Sequence, residues 1–402
     1  MTRPDGRRPW WDGRRIVLAT ALAGLLAVVA QQSAASALAG RGPDAALRIG
    51  GGGSAAQTAK ALELIQADPS GPGRRRARML AERAFARDPS SAGALTVLGM
   101  TADDAARARA IVSAAAKLSR RELLGQLWLI EDAVQRGDVQ GALHHYDVAM
   151  RVSRRAPAIL FPVLVDATED PGLVPAIATT LARRPAWGLQ YQQQLAQSGK
   201  ALGNVAVLFD RLLRQGVDPG DQALKVLFQR LSDARRYDQA WRLYAVLRPG
   251  EPRQGVRNGG FAREPHNPVV FDWQLSENRT DLATAVDPAP GGARLTFSAG
   301  SGEGGAAARQ LLLLGAGAHR LAATVFDTRS AGDQRPAFRL SCAATGTELA
   351  RFPLPNAGGA GVRGSWSFTV PPGCAAQWLE LVVPPAESFE PNTGAVSNVA
   401  VT

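Results

Sequence analysis

Four histidines and two cysteines are the side chains of this sequence best suited to chemistry, and their spacing argues against most of it. His144 and His145 are adjacent, so on a helix they point in different directions and do not form the i, i+4 pair of a metal-binding face. His145 stands next to Tyr146 in an apolar helical pattern and reads as structural. His266 lies in a Pro-rich stretch and His319 opens an apolar run. There is no Gly-x-Ser-x-Gly turn, no His-Glu-x-x-His helix and no dinucleotide-type glycine pattern after a strand. Asp103 and Asp104 sit together in a helical stretch and read as surface. The chain is therefore expected to hold no catalytic residue, no metal and no cofactor. A glycoside hydrolase is kept as a third reading, which would need two carboxylates facing each other across a groove.

Binding chemistry has more to draw on. Trp273, Trp366 and Trp378 are candidates for stacking on pyranose rings, with Asn258 and Asp272 near Trp273 in sequence as partners for hydroxyls. Against this, Trp273 and Trp378 lie within alternating strands and read equally as core, while Trp366 follows Gly364 near the start of a strand. Phe261, Phe271 and Phe368 read as core. Cys342 and Cys374 lie at the ends of extended runs with no histidine or further cysteine nearby. In an exported chain they are expected to form a disulfide worth ~3 kcal/mol; two buried thiols are the alternative.

The elements that must position these residues begin with an Arg-rich start. Arg3, Arg7, Arg8, Arg14 and Arg15 precede an uncharged apolar run from Ile16 to Ala30 that continues uncharged to Ala39, with Trp10 and Trp11 at its edge. Counted to Ala39 the run meets the ~20 residues that a bilayer span requires, and the arginines would stay cytoplasmic. Ala37-Leu38-Ala39 also fits a signal-cleavage site. A single-pass inner-membrane anchor with the body in the periplasm is expected, with a cleaved, soluble periplasmic or secreted form as the alternative.

Residues 40–54 are Gly-rich and read as a flexible linker. The glycine run lacks the Gly-Lys-Ser/Thr ending of a phosphate-binding loop. From 55 to 249 the sequence is helical in pattern. Small or apolar residues recur four and seven apart: Ala77, Ala81, Ala84; Ala108, Val112, Ala115; Ala142, Tyr146, Ala149; Ala176, Thr180, Arg183; Ala206, Asp210, Leu213; and Ala240, Tyr244, Leu247 after Tyr237. Their first members stand 30 to 34 residues apart, counting the last set from Tyr237. That spacing resembles the tetratricopeptide repeat, although the first-helix Trp-Leu-Gly signature is mostly absent. The resemblance implies an α-solenoid that docks envelope proteins; plain antiparallel helical hairpins are the alternative.

This part also carries the charge. Of the net +11, the residues before Ile16 hold +3 and those from Val256 hold −1, which leaves +9 for the helices. Arginine clusters at 74–76, 120–121, 154–155, 183–184 and 235–236 read either as solvated helix ends or as a basic face for an anionic partner. Outside the cytoplasm nucleic acid is not the expected partner.

Pro and Gly mark a linker at 250–255, and from 256 to 402 the helical period disappears. Eight short β-type runs are expected: 269–275, 293–297, 309–314, 319–326, 337–342, 365–370, 377–383 and 396–401, together a β-sandwich. Val256-Arg257-Asn258-Gly259-Gly260-Phe261, then Phe271-Asp272-Trp273, and the ending Val396-Ser397-Asn398-Val399-Ala400-Val401 resemble jelly-roll domains of the carbohydrate-binding-module type. In that family a Glu after the Phe often helps to hold calcium; here Ala262 stands there, and no calcium is expected. The resemblance implies binding of neutral or anionic polysaccharide. The expected fold is thus a transmembrane helix, an α-solenoid of helical hairpins and a C-terminal jelly roll. That combination is similar to accessory proteins of bacterial exopolysaccharide assembly and export.

Overall fold

The structure is a computed structural model that describes residues 42–49, 53–263, 267–276, 281–290, 292–302, 304–328, 335–387 and 390–402. The expected membrane segment with its arginine flank, the glycines at 50–52 and His266 lie outside these residues. No helix among the described residues is long and apolar enough to cross a membrane. By its internal contacts the chain forms two compact units, residues up to Leu160 and Phe161–Thr402.

Within the expected flexible spacer stands a short helix, α1 (Pro43–Ile49), with Asp44 in its first turn and Arg48 in its last. Those charges complement the helix dipole, and Ala46 is buried with Ala56. Six further helices build three successive hairpins: α2 (Ser54–Ala67) with α3 (Pro72–Arg87), α4 (Ala92–Met100) with α5 (Ala105–Leu118), and α6 (Leu123–Gln135) with α7 (Val139–Val152). Helix starts follow from capping residues. Ser91, Asp104 and Asp138 accept the backbone N–H of Ala94, Arg107 and Gly141, which satisfies donors that the first turn leaves unpaired.

Small side chains on one face allow the close approach within each hairpin. Ala77, Ala81 and Ala84 on α3, and Val112 and Ala115 on α5, are fully buried; Ala108 on α5 and Ala142, Tyr146 and Ala149 on α7 are buried too. Asp132 on α6 binds Arg109 on α5 (2.6 and 2.9 Å) and Arg136 (3.0 Å). These bonds, Arg109's first, hold the Asp132 carboxyl below the usual carboxylate range.

Helix α8 (Ala156–Ala167) is followed by α9 (Val174–Ala182), α10 (Gly188–Ser198), α11 (Leu202–Arg214), α12 (Asp221–Asp233) and α13 (Tyr237–Leu247). Here the backbones approach most closely between alternate helices: α9 with α11, α10 with α12, α11 with α13. The reason is the interior, which uses Leu208, Phe209, Leu212, Leu227 and Phe228 in place of alanine; larger side chains separate helix axes. The expected small-residue set Ala176, Thr180, Arg183 does not reach the core: Arg183 is exposed.

The C-terminal region is a two-sheet antiparallel β-sandwich. Its strands are β1 (Gln274–Leu275), β2 (Leu282–Ala289), β3 (Gly292–Ala299), β4 (Gly305–Leu312), β5 (Gly317–Phe326), β6 (Ala337–Cys342), β7 (Glu348–Pro353), β8 (Val362–Val370), β9 (Gln377–Val383) and β10 (Asn392–Val401). The first sheet runs β1-β4-β9-β6-β7 and the second β2-β3-β10-β5-β8. Alternate residues, among them Leu295, Phe297, Leu321, Val325, Phe338, Leu340, Leu379 and Leu381, fill the space between them. The Asn258-Gly259-Gly260-Phe261 stretch belongs to this packing. A Cβ on Gly259 would lie 1.8 Å from the Val399 carbonyl oxygen, and Phe261 enters the core against Trp273. Cys342 and Cys374 form a disulfide.

The composition change at 250–255 is not where the compact units divide. Helix α13 closes onto the sandwich through Arg257, which is 1% exposed, and α12 through Phe228 against Phe271. The Arg257 guanidinium lies 5.4–6.0 Å from the ring centres of Trp241, Tyr244 and Phe271. It donates to the carbonyls of Phe271 (2.9 Å) and Leu311. Burial pulls its pKa down to about 10, so it stays protonated at neutral pH. Beside it the Tyr244 hydroxyl donates to Asp272 (2.9 Å). Burial first, and the Asp272 charge next, push that hydroxyl well above the usual tyrosine range.

Candidate functional site

Sheet register builds the candidate site. Side chains of directly paired residues share a face. Gln274 pairs with Arg309, Arg309 with Glu380, Glu380 with Arg339 and Arg339 with Arg351. Five strands thus contribute one rung of planar, hydrogen-bonding side chains to the outer face of the first sheet. Neighbouring strands lie about 4.8 Å apart. On one side the rung is flanked by Trp378, paired with Leu311 and Ser341; on the other by Val382, paired with Ala306 and Ala337.

The groups of the rung are fixed by each other. Arg339 directs both Nε and Nη2 to Oε2 of Glu380 (3.0 and 2.8 Å), which leaves Oε1 of Glu380 available as an acceptor. Arg309 donates Nε to Gln274 (3.0 Å), and its guanidinium lies 4.7 Å from the Trp378 ring centre. Arg351 is bonded to both oxygens of Glu348 (3.0 and 2.8 Å), whose carboxyl is held below its ordinary range by those bonds. A recess of about 470 Å³ opens over Gln274, Leu275, Ser276, Ala306, Arg309 and Glu380. Such a surface offers donors, acceptors and an aromatic edge side by side, which suits a polyhydroxylated ligand.

The three expected tryptophans do not come together. Trp273 is 3% exposed, with its ring 5.5 Å from Phe261; it has no face to offer a sugar and is corrected to a core residue. Trp366 points between the sheets. It lies across Gly364, where a Cβ would meet the indole at 2.1 Å, and against Phe352 at 5.9 Å. Trp378 alone of the three stands on an outer face, half-buried beside Arg309. The two polar candidates are also taken. Asn258 closes a turn with Arg263, and Asp272 accepts from Tyr244 and from the Val269 N–H.

Several other residues singled out in the sequence hold structural contacts, while His144 is exposed. His145 bonds Gln126 at 2.9 Å, and burial lowers its pKa. His319 bonds the Gly315 carbonyl and stacks on Phe368. Asp104 caps α5. No group of three or more potential ligands able to hold a metal occurs among the described residues. Several clustered arginines close helix ends onto carbonyls: Arg74 on Ala102, Arg184 on Gly216 and Arg235 on Ala344. Sequence reasoning missed Gln274, Arg309, Arg339 and Glu380. Their signal was a charged or polar residue at an outward position of an otherwise apolar strand, as in Phe338-Arg339-Leu340 and Leu379-Glu380-Leu381.

No family model matches the sequence, and no curated protein matches it. Among solved structures, it is similar to the enzymatically active domain of tailspike protein 4 of bacteriophage CBA120, with 17% identity over 36% of this chain and 21% of that one, TM-score 0.25. It is also similar to an N-terminal endo-1,4-β-D-xylanase 10B structure from Clostridium thermocellum, complexed with xylohexaose. That match has 16% identity over 37% of this chain and 28% of that one, TM-score 0.24. The chain thus spans well under a third of either structure, and overlaps this slight carry no argument about fold or function.

Proposed function

We propose that this chain is a non-catalytic polysaccharide-binding protein of the bacterial envelope, acting through the outer face of the β1-β4-β9-β6-β7 sheet. The observation that carries the reading is the recess over Arg309 and Glu380, where Arg309, stacked on Trp378, offers donors and Glu380 an acceptor from adjacent strands. Sugar hydroxyls both donate and accept, so one vicinal pair can bridge them. The disulfide and the Arg-flanked apolar run support export, with the body outside the cytoplasm. The test is binding of the full-length chain to neutral and acidic bacterial polysaccharides, beside Trp378→Ala and Arg339→Ala variants shown to fold. Saturable binding that both variants weaken is the expected result. Unchanged binding by the variants moves the site elsewhere, and no binding removes the reading.

A second reading, docking of an envelope protein by tetratricopeptide-like helices, draws on a groove of about 170 Å³ between α11 and α13. Gly203, Ala206, Val207, Arg214, Gln239 and Arg242 line it, and Val207 is 47% exposed. A photocrosslinker placed at Val207 in the native envelope should trap one defined protein. A surface that yields no adduct there counts against docking.

A further inference from the structure

The arginines of the rung differ in how far their charge is already used. Arg339 and Arg351 spend their guanidinium groups on Glu380 and Glu348. Arg309 forms no ion pair among the described residues. Among the described residues its polar and ring contacts are the Nε bond to Gln274 and the stack on Trp378. Its two terminal nitrogens, the pair that binds a carboxylate side by side, are unused. Its orientation is nevertheless fixed at two points, so little side-chain freedom is lost on engaging a ligand.

We infer that the recess selects anionic over neutral polysaccharide, taking the carboxylate of a uronic acid residue on the terminal nitrogens of Arg309. The inference rests on the glycan reading above and names the substrate class of the same site. Glu380 lies on the same rung and would by itself repel an anion. Its charge is offset by Arg339, bonded through two nitrogens, and its free Oε1 can accept a hydroxyl of the same sugar. Trp378, on the flanking position, backs the guanidinium and keeps water from one of its faces. An isolated surface charge would be screened at physiological salt; a guanidinium backed by an indole and directed by an amide is less so.

The test uses the full-length chain with three uronate polymers, polygalacturonate, alginate and hyaluronan, each compared with its carboxyl-reduced form. Reduction turns each uronate into the neutral sugar and leaves the backbone otherwise the same. At least one acidic polymer is expected to bind at least tenfold more tightly than its reduced partner. Arg309→Gln should abolish that preference, and Arg309→Lys should restore only part of it, because an ammonium cannot pair side by side. Trp378→Ala should weaken binding while leaving some of the preference. Equal binding of acidic and reduced forms would overturn the uronate assignment and leave the glycan reading standing. Binding of neither form of any of the three would overturn the uronate assignment, and the wider polysaccharide panel above then decides the glycan reading. An undiminished preference in folded Arg309→Gln would overturn the role of Arg309.

Discussion

The two outer faces of the sandwich share one fold and differ in chemistry. The β1-β4-β9-β6-β7 face carries Trp378 and a rung of Gln274, Arg309, Glu380, Arg339 and Arg351, with a recess above it. The β2-β3-β10-β5-β8 face presents many small hydroxyls and alanines, among them Ser298 against Thr393, Ser397 against Thr324, Ala322 against Ser365 and Ala318 against Thr369, and groups its charge at one end, where Asp287 pairs with Arg294 and Arg294 lies 3.6 Å from the Phe326 ring centre. Both faces bury the same kind of core beneath them. The lesson is that the architecture does not choose the functional face. The outward half of each alternating strand does: among the described residues the rung of directional groups that runs across all five strands stands on the first face.

The largest way to disturb that difference is to loosen the first sheet alone. The disulfide ties the end of β6, which carries Arg339, to the segment leading into β9, which carries Glu380. Replacing Cys342 and Cys374 by Ala should cost about 3 kcal/mol in a denaturant titration. Polysaccharide binding should weaken in the same variant. Next in size, Trp378→Ala should cost about 2 kcal/mol of binding, roughly thirtyfold in Kd, as loss of an aromatic anchor does. Titration calorimetry reads it directly.

On the second face, Ser365→Ala with Ser367→Ala should change stability by no more than about 0.5 kcal/mol and leave polysaccharide affinity unaltered. A measurable loss of affinity there would erase the distinction between the faces. The smallest effect is in pH. Arg351 holds the Glu348 carboxyl below its ordinary value of 4.5. A depressed carboxyl binds fewer protons folded than unfolded, so its stabilisation is present above the ordinary value and is lost as pH falls through the folded one. Glu348→Gln should therefore flatten slightly the acid limb of the melting temperature against pH.

Much of this fold was legible in the sequence. Six of the eight expected β runs coincide with all or part of strands, β3, β5, β6, β8, β9 and β10, because apolar residues alternate there. The run 309–314 overlaps β4, whereas Val269–Trp273 is buried without forming a strand and only Gln274–Leu275 pairs. Two edge strands were invisible: β2 contains Asp287-Pro288, and β7 is Glu348-Leu349-Ala350-Arg351-Phe352-Pro353, with charges where alternation would be sought. Edge strands tolerate proline and charge because one side has no ladder to complete. The hairpins of α2 to α7 were legible through Ala77, Ala81 and Ala84 and their later counterparts.

The joint at Arg257 was not legible. Nothing in Pro249–Gly255 signals that the next arginine will be caged by Trp241, Tyr244 and Phe271. The site was half legible. Trp378 was among the candidates, but the tryptophan count drew attention to Trp273 and Trp366, which fill the core. The rung needed the pairing register, which no single strand contains.

The central claim is that polysaccharide meets the Trp378 face and no other. Oxidative footprinting of the full-length chain, with and without a polysaccharide that it binds, measures this residue by residue. Labelling at Trp378 should fall on addition of the polysaccharide, with no change at Trp366 or at Val362 on the edge strand β8. Protection at Trp366 or Val362 with Trp378 unaffected would contradict the claim.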